Sequence, residues 1–354
     1  MEATGATADG VLALARRGEL VGAHVADADL AGAELSGCDL RMTSWTRVSF
    51  AGANLAGSWL TGARFADAAF DGAELSRAQL ADADLTGAVL RGVVLTDANL
   101  TGATLTRADL SAARFDRTML LEVVLDGAIL ARLDLTTCRV ASRALAGADL
   151  RGLRLHLADL SGADLRTAKL DAATVLSQCL FEGADLEGVE LRRVAMPRSI
   201  FAGAKLRGAK LDEADAFQAG FAGADLTRAS LAGLRGRRAN FAGATLAEAR
   251  LAGARLEDAE LGGIHAAGAD FQGAKLGKAR FSHASLVGAH FDGADLAWAD
   301  LSHADLTGAS LKNATVEFAD LHRAVLEGAV TSGLNRHGAR GTDPARAAAE
   351  DFKG

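Results

Sequence analysis

The chain has no tyrosine, two prolines, three cysteines and few aromatics, 5% of 354 residues. With hydrophobic content at 49%, its apolar mass is therefore mainly alanine and leucine, too fine-grained for an ordinary globular core. Few prolines beside 40 glycines argue against a low-complexity tail. No apolar run approaches the length of a membrane span, and MEATGATADG lacks the basic start of a signal peptide. The net charge of −7 gives no electrostatic case for a nucleic-acid binder, whose affinity comes from neutralising phosphates. No membrane association and no direct nucleic-acid binding are expected. The odd cysteine count fits free thiols in a reducing cytosol, so a cytoplasmic protein is expected. The richness in Ala, Gly and Arg fits a high-GC bacterium.

What the chain has is a phrase, cleanest over Phe291–Leu311, in which a large apolar residue returns every fifth position with Ala two before it. Neither the helix period nor simple strand alternation fits this spacing. A second period lies over the first. Phe181, Phe201, Phe221, Phe241 and Phe281 are separated by multiples of twenty, with Leu261 in the gap, and Phe50/Phe70 and Phe271/Phe291 are twenty apart. Like stacks on like, so one coil holds twenty residues.

The run resembles the pentapeptide-repeat family, with its pattern A-(D/N)-L-x-x, over nearly the whole chain. The resemblance implies an all-β fold: a right-handed quadrilateral β-helix, four pentapeptides per coil, with the central residue and the one two before it pointing inward. About 15 coils at roughly 4.8 Å would make a rod of about 70–75 Å. The expected organisation is an N-terminal cap at 1–19, a solenoid at 20–331 and a tail at 332–354. Asp9 is expected to cap a short helix over Val11–Arg17, stopped at Gly18. After Ala329, TSGLNRHGARG reads as loop, and Asp343-Pro344 starts a weak helix, since Glu350 and Asp351 lie at its unfavourable end.

Two places depart from the pattern. Asp171–Val175 holds one extra residue, read as a bulge that turns Cys179 inward. Arg143 falls at an inward position, so RVASRAL at Arg139–Leu145 is expected to be irregular. Leu234 with Gly236, and Ile264 with Ala266, exchange their volumes and keep the interior filled.

No catalytic residue, cofactor or metal site is expected: flat walls do not converge a nucleophile, a base and an orienting group. His283 and His303 stack one coil apart without an evident third ligand, and read as a solvated pair. Cys138 and Cys179 fall on one wall two coils apart, about 9–10 Å by the strand spacing and beyond disulfide reach. Twenty of the 45 acidic residues sit one before the central residue, where a carboxylate can bond backbone amides of the corner. Residues before Ser111 carry 14 acids and 8 bases. Between Arg192 and Lys210 lie six bases and no acid, and stacking sets Arg192, Arg193 and Lys205 against acids of adjacent coils.

Two surfaces remain for a partner. Arg235, Arg255 and Lys275 stack as a ladder of like charge with Arg237 and Arg238 beside it. Met119, Leu121, Val124 and Ile129 map outward and form an apolar patch, with local misregister as the competing reading. Trp59 and Trp298 also map outward.

The resemblance implies a non-catalytic protein binder. Some members of the family resemble B-DNA in width and charge, bind DNA gyrase or topoisomerase IV, and protect against quinolone-like poisons. A type II topoisomerase is thus the expected protein partner, in antibiotic resistance or self-protection, although the basic ladder weakens a uniform DNA mimic. A structural or scaffolding protein with an unrelated partner is the alternative. Family members often dimerise through a C-terminal apolar helix, and here only Phe352 is available for a homodimer.

Overall fold

A central apolar residue every fifth position, with a small residue two before it, leaves room for a corner in each unit. The structure, a computed structural model, describes residues 2–4 and 7–351. Its elements are β1 (Glu2–Thr4), α1 (Ala8–Arg16), β2 (His24–Ala26), β3 (Ser44–Thr46), β4 (Met119–Leu121), β5 (Arg139–Ala141), β6 (Arg154–His156), β7 (Val175–Ser177) and α2 (Pro344–Asp351). Most of the chain is single-residue parallel bridges separated by turns, a β-helix-type fold. It divides into two compact units, Met1–Val175 and Leu176–Gly354, and the division falls directly after the extra residue of Asp171–Val175.

In unit 1 parallel bridges join residues twenty apart, from Asp29↔Ser49 to Asp149↔Lys169. The interior is Leu and Ala with an aromatic knot over two adjacent rungs: Phe50 stacks on Phe70 at 4.8 Å and meets Trp45 edge-on at 5.0 Å. Where Ser or Thr replaces the inward Ala, its hydroxyl is buried but satisfied. Thr43 donates to the Leu40 carbonyl and Thr118 to that of Leu95. β1 pairs with β2 and β2 with β3, all parallel. Helix α1 is capped by Thr7, whose hydroxyl accepts the Gly10 N–H, rather than by Asp9, which lies in the first turn. Its side chains Val11 and Ala15 are buried.

The irregularity at Arg139–Leu145 is resolved by a shift of one residue. Ser142, not Arg143, turns inward and donates to the Val123 carbonyl, while Arg143 is exposed. Ala141 then bridges Asp159, eighteen residues on instead of twenty. A buried guanidinium without a partner would cost far more than this local slip.

In unit 2 the bridges run from Leu180↔Ile200 to Asp320↔Arg340, again twenty apart. Phe181, Phe201, Phe221 and Phe241 form one column with centroids 4.7–5.0 Å apart and rings within 10° of parallel. Leu234 is fully buried beside Gly236, where an added Cβ would come within 2.8 Å of Leu256 Cδ2. The coil pattern continues through the segment read above as loop: Thr315 bridges Asn335 and Asp320 bridges Arg340. Gly333 and Gly338 supply the left-handed corners there, at φ +71° and +66°. α2 follows, its first turn capped by Asp343, which accepts from the Ala345 and Arg346 amides. Phe352 lies outside the described residues. No helix among the described residues is long and apolar enough to cross a membrane.

Candidate functional site

The corner carboxylates come first, because they decide how much of the acidity is free. Eighteen of the twenty accept the backbone N–H two residues on, as Asp29 does from Ala31 and Asp300 from Ser302. They are turn chemistry as well as charge. The Arg166 side chain, followed by its backbone amide, holds the Asp164 carboxyl at about 2. The capping bond leaves the negative charge in place on the surface.

The stacked pairs of unit 2 form as ladder neighbours. Arg192 meets Asp212 at 3.1 Å, Arg193 meets Glu213 at 2.8 Å and Lys210 meets Glu190 at 3.3 Å. Such exposed pairs are weak, because solvent screens them and holding two long side chains together costs entropy.

The like-charged ladder is present in register, Arg235↔Arg255↔Lys275. Its pairing is fuller than the sequence suggests. Arg255 Nε lies 3.7 Å from Glu257, and Arg237 and Arg238 reach Asp258 at 3.3 and 4.0 Å. Arg235 and Lys275 make no ion pair among the described residues. At the adjoining corner, Gly277 and Ala297 leave a dip of about 450 Å³ bordered by Arg237, Arg238, Arg255, Lys278 and Trp298. A second hollow of about 290 Å³ beside it takes in Arg235 and Phe217. Trp298 stacks on Phe318 at 4.5 Å and remains 58% exposed.

On unit 1, Met119, Leu121 and Val124 are outward and half-buried, and Ile129 is 36% exposed. β4 pairs with β5, Met119 opposite Arg139 and Leu121 opposite Ala141. The displaced register at Ser142 opens a groove of about 480 Å³ lined by Val124, Ala141, Ala144 and the exposed Arg143.

The histidine pair has company that the sequence does not announce. His283 and His303 stack at 4.6 Å, as their spacing requires. His303 Nε2 also lies 3.3 Å from Glu350 of α2, and His322 Nε2 lies 3.2 Å from the same oxygen. These three side chains could in principle converge on a metal ion. The hydrogen bonds at His322 point elsewhere. Its Nδ1 accepts the Asp343 N–H at 3.0 Å, so the neutral ring carries its proton on Nε2 and donates it to Glu350. A cation at Nε2 would need the other tautomer and would break the Asp343 bond. Arg323 and Arg346 already face Glu350 at 3.4 and 3.0 Å. Burial pushes the Glu350 carboxyl up, but bonds from His322 and Arg346, aided by His303, outweigh it and hold the group at about 2. The cluster fastens α2 to the coil wall and buries His322. No periodic signal could have found it, because the contact joins a repeat position to a segment outside the repeat.

Burial raises the Cys38 and Cys138 thiols, and all three cysteines are buried.

Compared with known proteins, the chain matches the family described as Pentapeptide repeats in successive stretches, 28–67, 49–87, 73–111, 105–139, 144–175, 174–215, 219–258, 267–302 and 289–328. No curated protein matches. Among solved structures, HetL from the cyanobacterium Nostoc sp. strain PCC 7120, involved in heterocyst differentiation regulation, is 24% identical. The alignment covers 92% of this chain and 95% of HetL, with a TM-score of 0.18. A thylakoid-lumen pentapeptide repeat protein of Arabidopsis thaliana is 32% identical over 31% of this chain and 72% of its own, with a TM-score of 0.22. Full-length QnrB1, a plasmid-mediated fluoroquinolone resistance protein, is 17% identical over 66% of this chain and 98% of its own, with a TM-score of 0.24. At these TM-scores the superpositions carry no argument; the family match rests on the repeats themselves.

Proposed function

The chain belongs to the pentapeptide-repeat family, and from that premise we propose that it is a non-catalytic, cytoplasmic protein binder whose unit 1 engages a type II topoisomerase by presenting charge in place of duplex DNA. We read its coils as right-handed and four-sided, which is consistent with a bridge at every fifth residue and a twenty-residue register. The observation that carries the reading is the acidic balance before Ser111, 14 acids against 8 bases, set on regularly repeated corners. Of those residues, 20–110 make between four and five coils, roughly 22 Å at the strand spacing. Duplex DNA carries about 13 charges over that length. Residues 20–110 carry 11 acids and 6 bases, a net of −5, about two-fifths of that number. Such a surface steers a DNA-binding groove toward it and is displaced by salt. The buried thiols of Cys38 and Cys138 agree with a reducing compartment.

Purified full chain is expected to inhibit supercoiling by DNA gyrase, or to relieve a quinolone-type poison, with potency falling as ionic strength rises. A protein that leaves both activities of gyrase and of topoisomerase IV untouched refutes the reading.

The groove at Val124 and the outward Met119, Leu121 and Ile129 favour a second reading, a scaffold that holds an unrelated protein through apolar contact. Loss of a bound partner on Val124→Asp, with topoisomerase assays unchanged, would support it.

A further inference from the structure

The corner of unit 2 over Gly277 and Ala297 combines features that the topoisomerase reading does not use. Six cations gather there: Arg235, Arg237, Arg238, Arg255, Lys275 and Lys278. Glu257, Asp258 and Asp215 are the acids that border the two hollows. The cationic ladder sits in strand register, where like charges destabilise one another. Gly277 and Ala297, two stacked corner residues with little or no side chain, are among the residues that line the dip. Beside it stands a tryptophan, 58% exposed, with one face fixed against Phe318. Tryptophan and arginine together are the residue types on which binding energy concentrates at protein interfaces.

The shape and the acids select among ligands. The dip is broad and open, unlike the enclosed clefts that bury most of a small molecule. A phosphate backbone carries a charge at every unit and cannot avoid Glu257 and Asp258, whereas an acidic peptide can set an uncharged residue opposite them. Moreover, Glu257 Oε2 is shielded from water and has no hydrogen-bond partner among the described residues. An unsatisfied acceptor in the lining suits a ligand that carries N–H donors, as a peptide does and a phosphate backbone does not.

We propose that this groove docks an acidic segment of a partner protein, its carboxylates on Arg237, Arg238 and Arg255 and an aromatic side chain on Trp298. Bidentate carboxylate contacts suit the planar guanidinium groups. The aromatic anchor supplies the apolar contact that fixes register along the groove.

The test is fluorescence anisotropy with the full chain and four labelled probes: a short Glu/Asp-rich peptide with one central Phe, the same peptide with Phe replaced by Ala, a neutral peptide with the same Phe, and a short DNA duplex. Saturable, salt-sensitive binding is expected for the first, weaker binding for the second, and none for the third. Arg237→Gln combined with Arg255→Gln should weaken the first peptide by about tenfold or more. Trp298→Ala should weaken the first peptide to the level of the second and leave the second unchanged. Thermal melts of each variant control for folding, and Lys278→Ala gives an independent reduction if the double variant melts early. Absence of saturable peptide binding, indifference to every variant, or tighter binding of the duplex overturns the proposal, the last by placing nucleic acid in the groove. The topoisomerase reading rests on the acidic balance before Ser111 and this proposal on the corner at Gly277, so either stands without the other.

Discussion

At the scale of the residue, the interior works by repetition. Phe221 is fully buried and stacked between Phe201 at 5.0 Å and Phe241 at 4.8 Å. The backbone around it is fixed by ladder bonds to coils on both sides, such as Phe201 N–H to the Gly220 carbonyl and Phe221 N–H to that of Asn240. A hole left there cannot collapse. Phe221→Ala should therefore cost about 3–5 kcal/mol, toward the upper end for a core phenylalanine, and a chemical denaturation series checks it. The phenylalanine column was legible in the sequence, because identical residues twenty apart have no other reason to recur. Arg143 was legible only as a misfit. Its position said that the register must break, but which neighbour would turn inward depended on Ser142 reaching the Val123 carbonyl, a contact that no spacing encodes.

At the scale of the element, α2 shows how a sequence with poor helix-end charges is nonetheless held. Glu350 and Asp351 oppose the helix dipole, yet Arg346, Arg323, His322 and His303 surround them. The acids at the wrong end are the docking contact. Glu350 has its carboxyl lowered from 4.5 to about 2 in the folded chain. A group held low in the folded state contributes stability above its unfolded value and loses it as pH falls toward the folded one. Protection of α2 against amide exchange or proteolysis should thus be unchanged, as far as Glu350 is concerned, at pH 5 and above, and should decline between about 4.5 and 2. Glu350→Gln should show reduced protection already at neutral pH, with the coils unaffected. The helix itself could be read from Asp343-Pro344; its docking partners could not, since His322 looks like any other outward residue until something covers it.

At the scale of the whole chain, register matters more than length. Parallel bridges join residues twenty apart in each unit, so nearest-neighbour contacts carry the stability of such an array. Deleting residues 201–220 from unit 2 should return Phe221 to the place of Phe201 and preserve cooperative unfolding. Deleting 201–210 should not, because it puts the twenty-residue register out by ten and breaks the phenylalanine column. Circular dichroism melts of the two deletions distinguish these outcomes. The period of five and its multiple of twenty were visible without coordinates, as was the continuity of the repeat. The two-unit division was not visible as such, although it falls beside the one place where the count slips. The candidate surfaces were half-legible. Spacing located the charges, but the dip at Gly277 and Ala297, and the tryptophan that borders it, emerge only once the corners are stacked.

That twenty-residue register has a consequence for heredity. An in-frame duplication or loss of one coil's worth of codons leaves every inward side chain above its own kind, so the gene can lengthen or shorten without rewriting the core. Each copied coil arrives with outward residues that the fold scarcely constrains, apart from the capping carboxylates. New binding surfaces can therefore arise by copying and drift, one coil at a time, while the interior that supports them stays the same.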